Sequence, residues 1–212
     1  ADGTILARKF IDFTSDKDRM IHAMNRTRRK QSKYGPKSAK GLWAYVKRLN
    51  EDRAKKISAA IVEFASQHSV DAIVMEHLDF KGCKKRGSKA QRLSMWNHGI
   101  IREKVEQKAH LLGIRIATIC AWKTSALAFD GSGSVARDDN NHALAAFTTG
   151  KQYNCDLSAS YNIGARYFIR ELLKSLPATE ESRVKAKVPD AGRRTSCTLS
   201  TLRALVKELS AA

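Results

Sequence analysis

The sequence predicts an α/β fold in which helices cover both faces of a sheet. Two short runs of branched apolar residues, at 70–75 and 114–120, have the length and composition of buried strands. Three longer stretches, at 41–67, 95–112 and 157–176, alternate with them and repeat apolar residues every three or four positions, as helices do. In open sheets of this kind, functional side chains collect at the ends of strands.

The composition narrows the class of protein. The 212 residues include 39 Lys and Arg against 21 Asp and Glu, a formal net charge of +18. Such an excess favours a polyanionic partner, nucleic acid first, because each cation docked on a phosphate releases condensed counterions. A solubilising basic surface or a ribosome-like structural role is the alternative. The apolar runs fall well short of the roughly 20 residues of a membrane-spanning helix, so we expect a soluble protein.

The first residues have the pattern of half a β-hairpin. Asp2-Gly3 is a turn dipeptide, and the run at 4–13 that follows is rich in Ile and Phe. We therefore expect that the chain begins inside a hairpin, whose other strand would lie upstream of Ala1. The alternative is a simple edge strand after a disordered start.

Three polar segments lie between the predicted helices and strands. Residues 17–40 form a basic connector, broken at Tyr34-Gly35-Pro36. Residues 80–92 form a loop rich in Gly and Lys, and residues 124–152 form an irregular insertion. All three belong to one predicted domain, residues 1–176.

The remaining residues, 177–212, are predicted to add a tail to this domain. Residues 177–194 mix Pro, Ser, Thr, Glu and Arg, which predicts a mobile linker. An amphipathic helix over 199–209 follows, with Thr198 as its N-cap.

Two acidic residues have the best context for chemistry. Glu76 follows the strand predicted at 70–75, and Asp156, 80 residues further on, precedes the third helix. Phosphodiester hydrolysis needs charge neutralisation on the attacking and leaving oxygens, which two Mg²⁺ ions held by carboxylates can supply. A surface role for Glu76 and a helix-capping role for Asp156 are the alternatives.

Two motifs in this sequence resemble those of a known family. Residues 73–79, Ile-Val-Met-Glu-His-Leu-Asp, resemble the second RuvC motif of the transposon-encoded TnpB (OrfB) proteins and their relatives, the type V CRISPR effector nucleases. Residues 156–163, Asp-Leu-Ser-Ala-Ser-Tyr-Asn-Ile, resemble their third motif. The order between them, a helix, a strand and a Thr-Ser loop, also agrees, and the similarity runs over about residues 4–173.

The resemblance implies a ribonuclease H-like (RuvC) mixed sheet flanked by helices, and an activity. That activity is a divalent-metal-dependent endodeoxyribonuclease guided by RNA, with Mg²⁺ or Mn²⁺ as cofactor and with target DNA and guide RNA as partners in a prokaryotic cytoplasm. By this resemblance, Glu76 and Asp156 are expected to be catalytic metal ligands. The family's first motif, an Asp on the opening strand, has no match, so we expect little cleavage by this chain alone.

The insertion departs from the family pattern. Many relatives carry two C-x-x-C pairs that form a zinc ribbon, whereas only Cys155 remains at those places here. One thiolate cannot fill a tetrahedral site. We therefore predict no structural zinc, with Phe129, Phe147 and Tyr153 packing as an apolar substitute.

Two basic clusters flank the expected cleft and suit contacts to a nucleic acid backbone. Their members are Arg26, Arg28, Arg29, Lys30, Lys33 and Lys84, Lys85, Arg86, Lys89, Arg92. The alternative is a solvated charge run. The alternative to the whole nuclease assignment is a non-catalytic nucleic-acid-binding module with a degenerate RuvC fold.

Two smaller features complete the candidates. Asp130 is expected to form a turn with Gly131 rather than to bind metal. Trp122 precedes a loop, and the sequence does not decide whether its ring faces the core or the solvent.

Overall fold

A computed structural model of the chain describes residues 2–78, 95, 97–138 and 140–211, and it divides into two compact units. The helical unit comprises Arg8–Ile73 and Phe80–Ile116. The C-terminal unit comprises Ala1–Ala7, Val74–Asp79 and Ala117–Ala212. The predicted domain boundary at residue 176 therefore falls inside the C-terminal unit.

The helical unit begins with α1, Thr14–Tyr34, where the sequence predicted a basic connector. That prediction was wrong, because 21 consecutive residues without Gly or Pro can form a helix around a narrow buried stripe. The stripe consists of Met20, Ala23 and Thr27, spaced three and four residues apart. The helix ends where predicted, since Gly35 has φ +87° and Pro36 starts a short 3₁₀ helix.

Two further helices confirm the apolar periodicity of the sequence. Helix α2, Lys40–Gln67, packs against α1 and against α3, His98–Leu111. Small side chains allow this close packing: Ala65 and Ala109 are buried together with Ile114. Helix α3 ends at Leu111, one residue before the predicted end at 112, and Gly113 follows with φ +71°.

Two strands pair in a two-stranded sheet: β1, Ala72–His77, and β2, Arg115–Cys120. Both lie within two residues of their predicted positions. Residues 4–13 form no strand, although the predicted hairpin required one. Residues Thr4 to Ala7 alternate in exposure as in an extended chain, but a strand needs a hydrogen-bonded partner, and no described strand supplies it.

The insertion at 124–152 is more regular than the sequence predicted. It contains a three-stranded antiparallel sheet of β3, Ala136–Arg137, β4, Leu144–Ala146, and β5, Gln152–Asn154. Residue Ala145 pairs with Tyr153 in its register. A turn closed by Gly150 N–H on the Phe147 carbonyl joins the last two strands, so local turn chemistry organises a segment of weak apolar pattern.

The aromatic packing predicted for this insertion is confirmed. The ring of Phe129 lies 5.6 Å from that of Phe147 and 5.0 Å from that of Tyr153, measured between centroids. Tyr161 adds an edge contact to Phe129 at 5.3 Å. Lys151 lies over two of these rings, 4.7 Å from the centroid of Phe129. The absence of zinc stays a prediction.

Three helices form the main core of the C-terminal unit: α4, Cys155–Ser175, α5, Ala178–Lys187, and α6, Leu199–Ser210. Helix α5 replaces part of the linker predicted at 177–194. It forms because Val184 is fully buried against the core and because acidic residues open the helix while basic residues close it. Thr198 caps α6 as predicted, in a capping box with Thr201.

The described residues thus form a mixed α/β fold that is mostly helical with two small sheets. The described strands do not make up the larger ribonuclease H-like mixed sheet that the resemblance implies. None of the described helices is both long and apolar enough to cross a membrane.

Candidate functional site

Glu76 lies on β1, one residue before its end, and is partly buried. Its Oε1 accepts a hydrogen bond from the hydroxyl of Thr124, whose side chain is almost fully buried in the loop after β2. The carboxylate therefore has a fixed partner at the end of the two-stranded sheet. The sequence named Glu76 from its motif, and the Thr-Ser loop of the same motif pattern supplies the hydroxyl.

Asp156 lies in the first turn of α4 and is exposed. The capping role that the sequence left open for it belongs to Asn154. The side-chain oxygen of Asn154 accepts hydrogen bonds from the N–H groups of Asp156, at 2.9 Å, and Leu157, at 3.0 Å. The carboxylate of Asp156 is therefore not needed to cap the helix and faces solvent.

Asn162 connects the helix of Asp156 to the loop of Thr124. Its side-chain N–H₂ donates to the carbonyls of Thr124, at 3.0 Å, and Leu127, at 2.9 Å. Its oxygen accepts from the N–H of Leu199 at 3.2 Å, so the fully buried amide is satisfied on both sides. Glu76 is therefore connected to the helix that carries Asp156 through two hydrogen bonds, one from Thr124 to Glu76 and one from Asn162 to the Thr124 carbonyl.

Arg166, one turn further along α4, was missed by the sequence analysis. Its guanidinium donates to the carbonyls of Cys120 and Trp122, both at 2.8 Å, and of Thr195 and Cys197, at 2.8 and 3.3 Å. Burial lowers the pKa of Arg166 below its ordinary value, while Glu76 is among the groups whose charge opposes that shift. An Arg on the apolar face of a predicted helix was the available signal.

Thr124, Asn162 and Arg166 are called the buried polar network below. Thr124 and Asn162 link the strand that carries Glu76 to the helix that carries Asp156. Arg166 fixes the end of β2 and the segment before α6 to that same helix. The network is the part of the site that the structure shows in most detail.

The candidate ligands are of the chemical type that a hard divalent cation prefers, but there are too few of them for a complete site. Glu76 and Asp156 offer carboxylate oxygens, which Mg²⁺ and Mn²⁺ prefer. Across residues 2–78, 97–138 and 140–211, however, no three His, Cys, Asp or Glu side chains come together in a group that could hold a metal ion. The described part of the chain therefore offers two candidate ligands and no complete metal centre.

The first predicted basic cluster lies on α1, and all its members are exposed: Arg26, Arg28, Arg29, Lys30 and Lys33. At about 100° per residue, Arg26, Arg29, Lys30 and Lys33 fall on one side of the helix, adjacent to the buried stripe. This set of four is called the basic face of α1. The second cluster, Lys84, Lys85, Arg86, Lys89 and Arg92, lies outside the described residues.

Two smaller candidates are now placed. Trp122 is 65% exposed, so its ring faces solvent while its carbonyl binds Arg166. Asp130 forms the predicted turn: its side chain accepts from the N–H of Ser132 at 3.0 Å, and Gly131 has φ +82°. An exposed indole beside Thr124 is available to stack on a base.

Comparison with known proteins gives a likeness of fold. No protein-family model and no curated protein sequence matches this chain. Among solved structures, it is similar to Cas12f1 in a cryo-EM structure of the Cas12f1-sgRNA-target DNA complex, with a TM-score of 0.51 and 17% identity. The match covers 69% of this chain and 42% of the Cas12f1 chain. At this identity the likeness shows the fold alone, a fold like that of a type V CRISPR effector.

Proposed function

We propose that this chain is the nuclease region of an RNA-guided DNA endonuclease of the transposon or CRISPR type. That endonuclease would hydrolyse phosphodiester bonds with the help of Mg²⁺ or Mn²⁺, and this chain alone would cleave little. The observation that carries the proposal is the buried polar network, which attaches the Glu76 strand and the Asp156 helix to each other in a fold like that of Cas12f1. That network explains why two motifs 80 residues apart would act as one site.

Each residue has a proposed role. Glu76 and Asp156 would supply oxygen ligands, and a bound divalent metal would neutralise charge on the attacking and leaving oxygens. Thr124 holds the Glu76 carboxylate in one orientation through its hydroxyl. Asn162 holds the Thr124 loop against α4, so it positions the site without touching the substrate.

The partners are proposed from charge. The basic face of α1 would contact the phosphates of a guide RNA or a target DNA, and Trp122 would stack on an unpaired base. The similar Cas12f1 chain was solved in a complex with sgRNA and target DNA, which supports partners of this kind. Such contacts position a strand without reading its sequence.

A second candidate is a non-catalytic nucleic-acid-binding module. One observation favours it: the described His, Cys, Asp and Glu side chains form no group of three that could hold a metal ion, while the basic face of α1 is exposed. This module would keep the affinity for nucleic acid and bind no metal at Glu76 and Asp156. The two candidates therefore differ in metal binding, not in DNA binding.

Titration with Mn²⁺, followed by the electron paramagnetic resonance signal of free Mn²⁺, separates the two. For the nuclease, Glu76→Gln and Asp156→Asn should each weaken Mn²⁺ binding about tenfold or more, the loss of one charged ligand. The double variant should lose the same site and no second one. Asp130→Asn is the matched control, because Asp130 is an exposed acid whose turn an Asn can keep.

Two results would decide against the nuclease. The first is Mn²⁺ binding that is unchanged in both Glu76→Gln and Asp156→Asn, which would show that these two residues do not bind a shared metal. DNA binding that persists in the wild-type chain without any such Mn²⁺ binding would support the non-catalytic module.

A further inference from the structure

A cavity of about 300 Å³ lies within the C-terminal unit, and neither Glu76 nor Asp156 is among its lining residues. Helices α4 and α5, the end of β2 and the 3₁₀ helix Pro189–Gly192 contribute its walls. Its volume is at the lower end of the range for small-molecule sites, about 300–1,000 Å³. One wall is apolar and is formed by Ile119, Ile169 and Leu173.

The rest of the lining is strongly basic. Five of the lining residues are Arg or Lys and one is an acid, Glu181. Glu181 forms an ion pair with Lys185, and Glu171, which is outside the lining, pairs with both Arg170 and Lys174. Arg194 and Arg166 are therefore the lining cations without a described acidic partner in ion-pair distance at the cavity. Lys174 and Arg194 are exposed at the cavity. A surplus of cations around a cavity of this size selects an anionic ligand.

Arg166 is a further cation of the lining, and it is buried in the cavity wall. It is only 5% exposed and lines the cavity, and no described carboxylate lies within ion-pair distance of it. Four of its five N–H groups donate to carbonyls of the described chain, and the fifth is on Nη2. These hydrogen bonds replace lost hydration, but they leave the positive charge of Arg166 without an anion in contact with it.

We propose that this cavity binds a nucleoside phosphate, with the base against the apolar wall and the phosphate among Lys174, Arg170 and Arg194. A nucleobase has a flat apolar face for Ile169 and Leu173 and has polar edges for the basic part of the lining. A fatty acid would leave most of the basic lining against hydrocarbon, and inorganic phosphate would leave the apolar wall uncovered. The ligand is either a free mononucleotide or one nucleotide of a single strand.

Isothermal titration calorimetry with the whole chain tests this proposal. The probes are a set of 5′-mononucleotides, the matching nucleosides, inorganic phosphate and a four-nucleotide single strand. We expect a mononucleotide to bind at least tenfold more tightly than either its nucleoside or inorganic phosphate, because each of those lacks half of the recognised groups. Tighter binding of the strand than of the mononucleotide would identify the strand as the source.

Three variants locate the binding. Lys174→Ala and Arg194→Ala change exposed side chains, and each should weaken the mononucleotide about tenfold, the value of a charged hydrogen bond. Gly192→Leu keeps every charge but adds bulk at the cavity wall, so it should weaken mononucleotide binding. An added Cβ at this position would meet only the Lys185 side chain, at 3.7 Å. Lys207→Ala, an exposed cation of α6 outside the lining, is the matched control and should change nothing.

Several results would overturn the proposal. One is the absence of binding by mononucleotide and strand up to about 1 mM. Others are equal affinity for inorganic phosphate and mononucleotide, and affinities that Gly192→Leu and both charge variants leave unchanged. Failure of this proposal and failure of the proposed function are distinguishable, because Glu76→Gln should weaken Mn²⁺ binding and leave the affinity for the mononucleotide unchanged.

Discussion

The buried polar network and the basic face of α1 are both polar, yet they are built in opposite ways. In the network, Asn162 and Arg166 lie inside the protein and donate to backbone carbonyls of three other segments. On α1, the four side chains of the basic face are exposed to solvent. In our proposal, the network positions the candidate site and the basic face of α1 supplies affinity for nucleic acid. Substitutions in one region should therefore leave the other property unchanged.

The largest effect on stability is expected from Arg166→Met. The substitution removes four hydrogen bonds and leaves buried carbonyls without donors, which should lower the free energy of unfolding by about 3–5 kcal/mol. Urea denaturation followed by circular dichroism measures it. Arg170→Met on the same helix is the control and should lose no more than about 1 kcal/mol, because Arg170 is partly exposed and binds one carbonyl. Equal losses would mean that Arg166 has no special structural role.

A smaller loss is expected from Asn162→Asp. The exchange is nearly isosteric, but it turns a donor into a carboxylate that faces the carbonyls of Thr124 and Leu127. We expect a loss of about 2–3 kcal/mol in the same denaturation experiment. Asn25→Asp, an exposed position on α1, controls for the added charge and should change stability by less than about 0.5 kcal/mol. An Asn162→Asp protein as stable as that control would show that the amide is dispensable.

Thr124→Val should have a weaker effect. It keeps the shape of the side chain and removes the hydroxyl that binds Glu76, a loss of about 1 kcal/mol in unfolding free energy. Thr124→Ser keeps the hydroxyl and should keep the hydrogen bond. If Ser and Val destabilise the protein equally, the effect comes from packing and not from the contact with Glu76.

The smallest effect on stability, and the largest on DNA binding, is expected from alanine at all four positions of the basic face of α1. Stability should change by less than about 0.5 kcal/mol per site, since these side chains lie in solvent. The dependence of log affinity on log salt should become less steep by about 3 to 4, if each cation contacts one phosphate of a duplex.

The control for that experiment removes four exposed cations elsewhere in the helical unit. These are Lys47, Arg48, Lys55 and Lys108, each replaced by alanine. An equal change in salt dependence for both quadruple variants would reduce the basic face of α1 to part of a general positive charge.

The sequence predicted those parts of the fold that depend on local pattern. Apolar periodicity placed α2 and α3, and the mutual packing of Phe129, Phe147 and Tyr153 was predicted correctly. Helix α1 was missed because its buried stripe is only three small or medium residues in a charged run. Helix α5 was missed because a single residue, Val184, anchors it in the core, and that contact comes only with tertiary packing.

In the candidate site, too, the sequence predicted the residues that belong to local motifs and missed a residue that depends on tertiary contacts. Glu76 and Asp156 were available from two motifs, and Asn162 and Thr124 lie inside the motif pattern without a role that the sequence could assign. The only signal for Arg166 was its place on the apolar face of a predicted helix, and its partners could not be predicted because they are backbone carbonyls 29 to 46 residues away in the chain. Carbonyl acceptors exist at every residue and leave no mark in the sequence.

The central claim is that Glu76 and Asp156 share a divalent metal. The most direct test is the anomalous diffraction signal of Mn²⁺ in soaked crystals of this chain. We predict a peak with carboxylate oxygens of both residues at coordination distance, about 2.1 Å. A peak on one carboxylate alone, or no peak at saturating Mn²⁺, would contradict it.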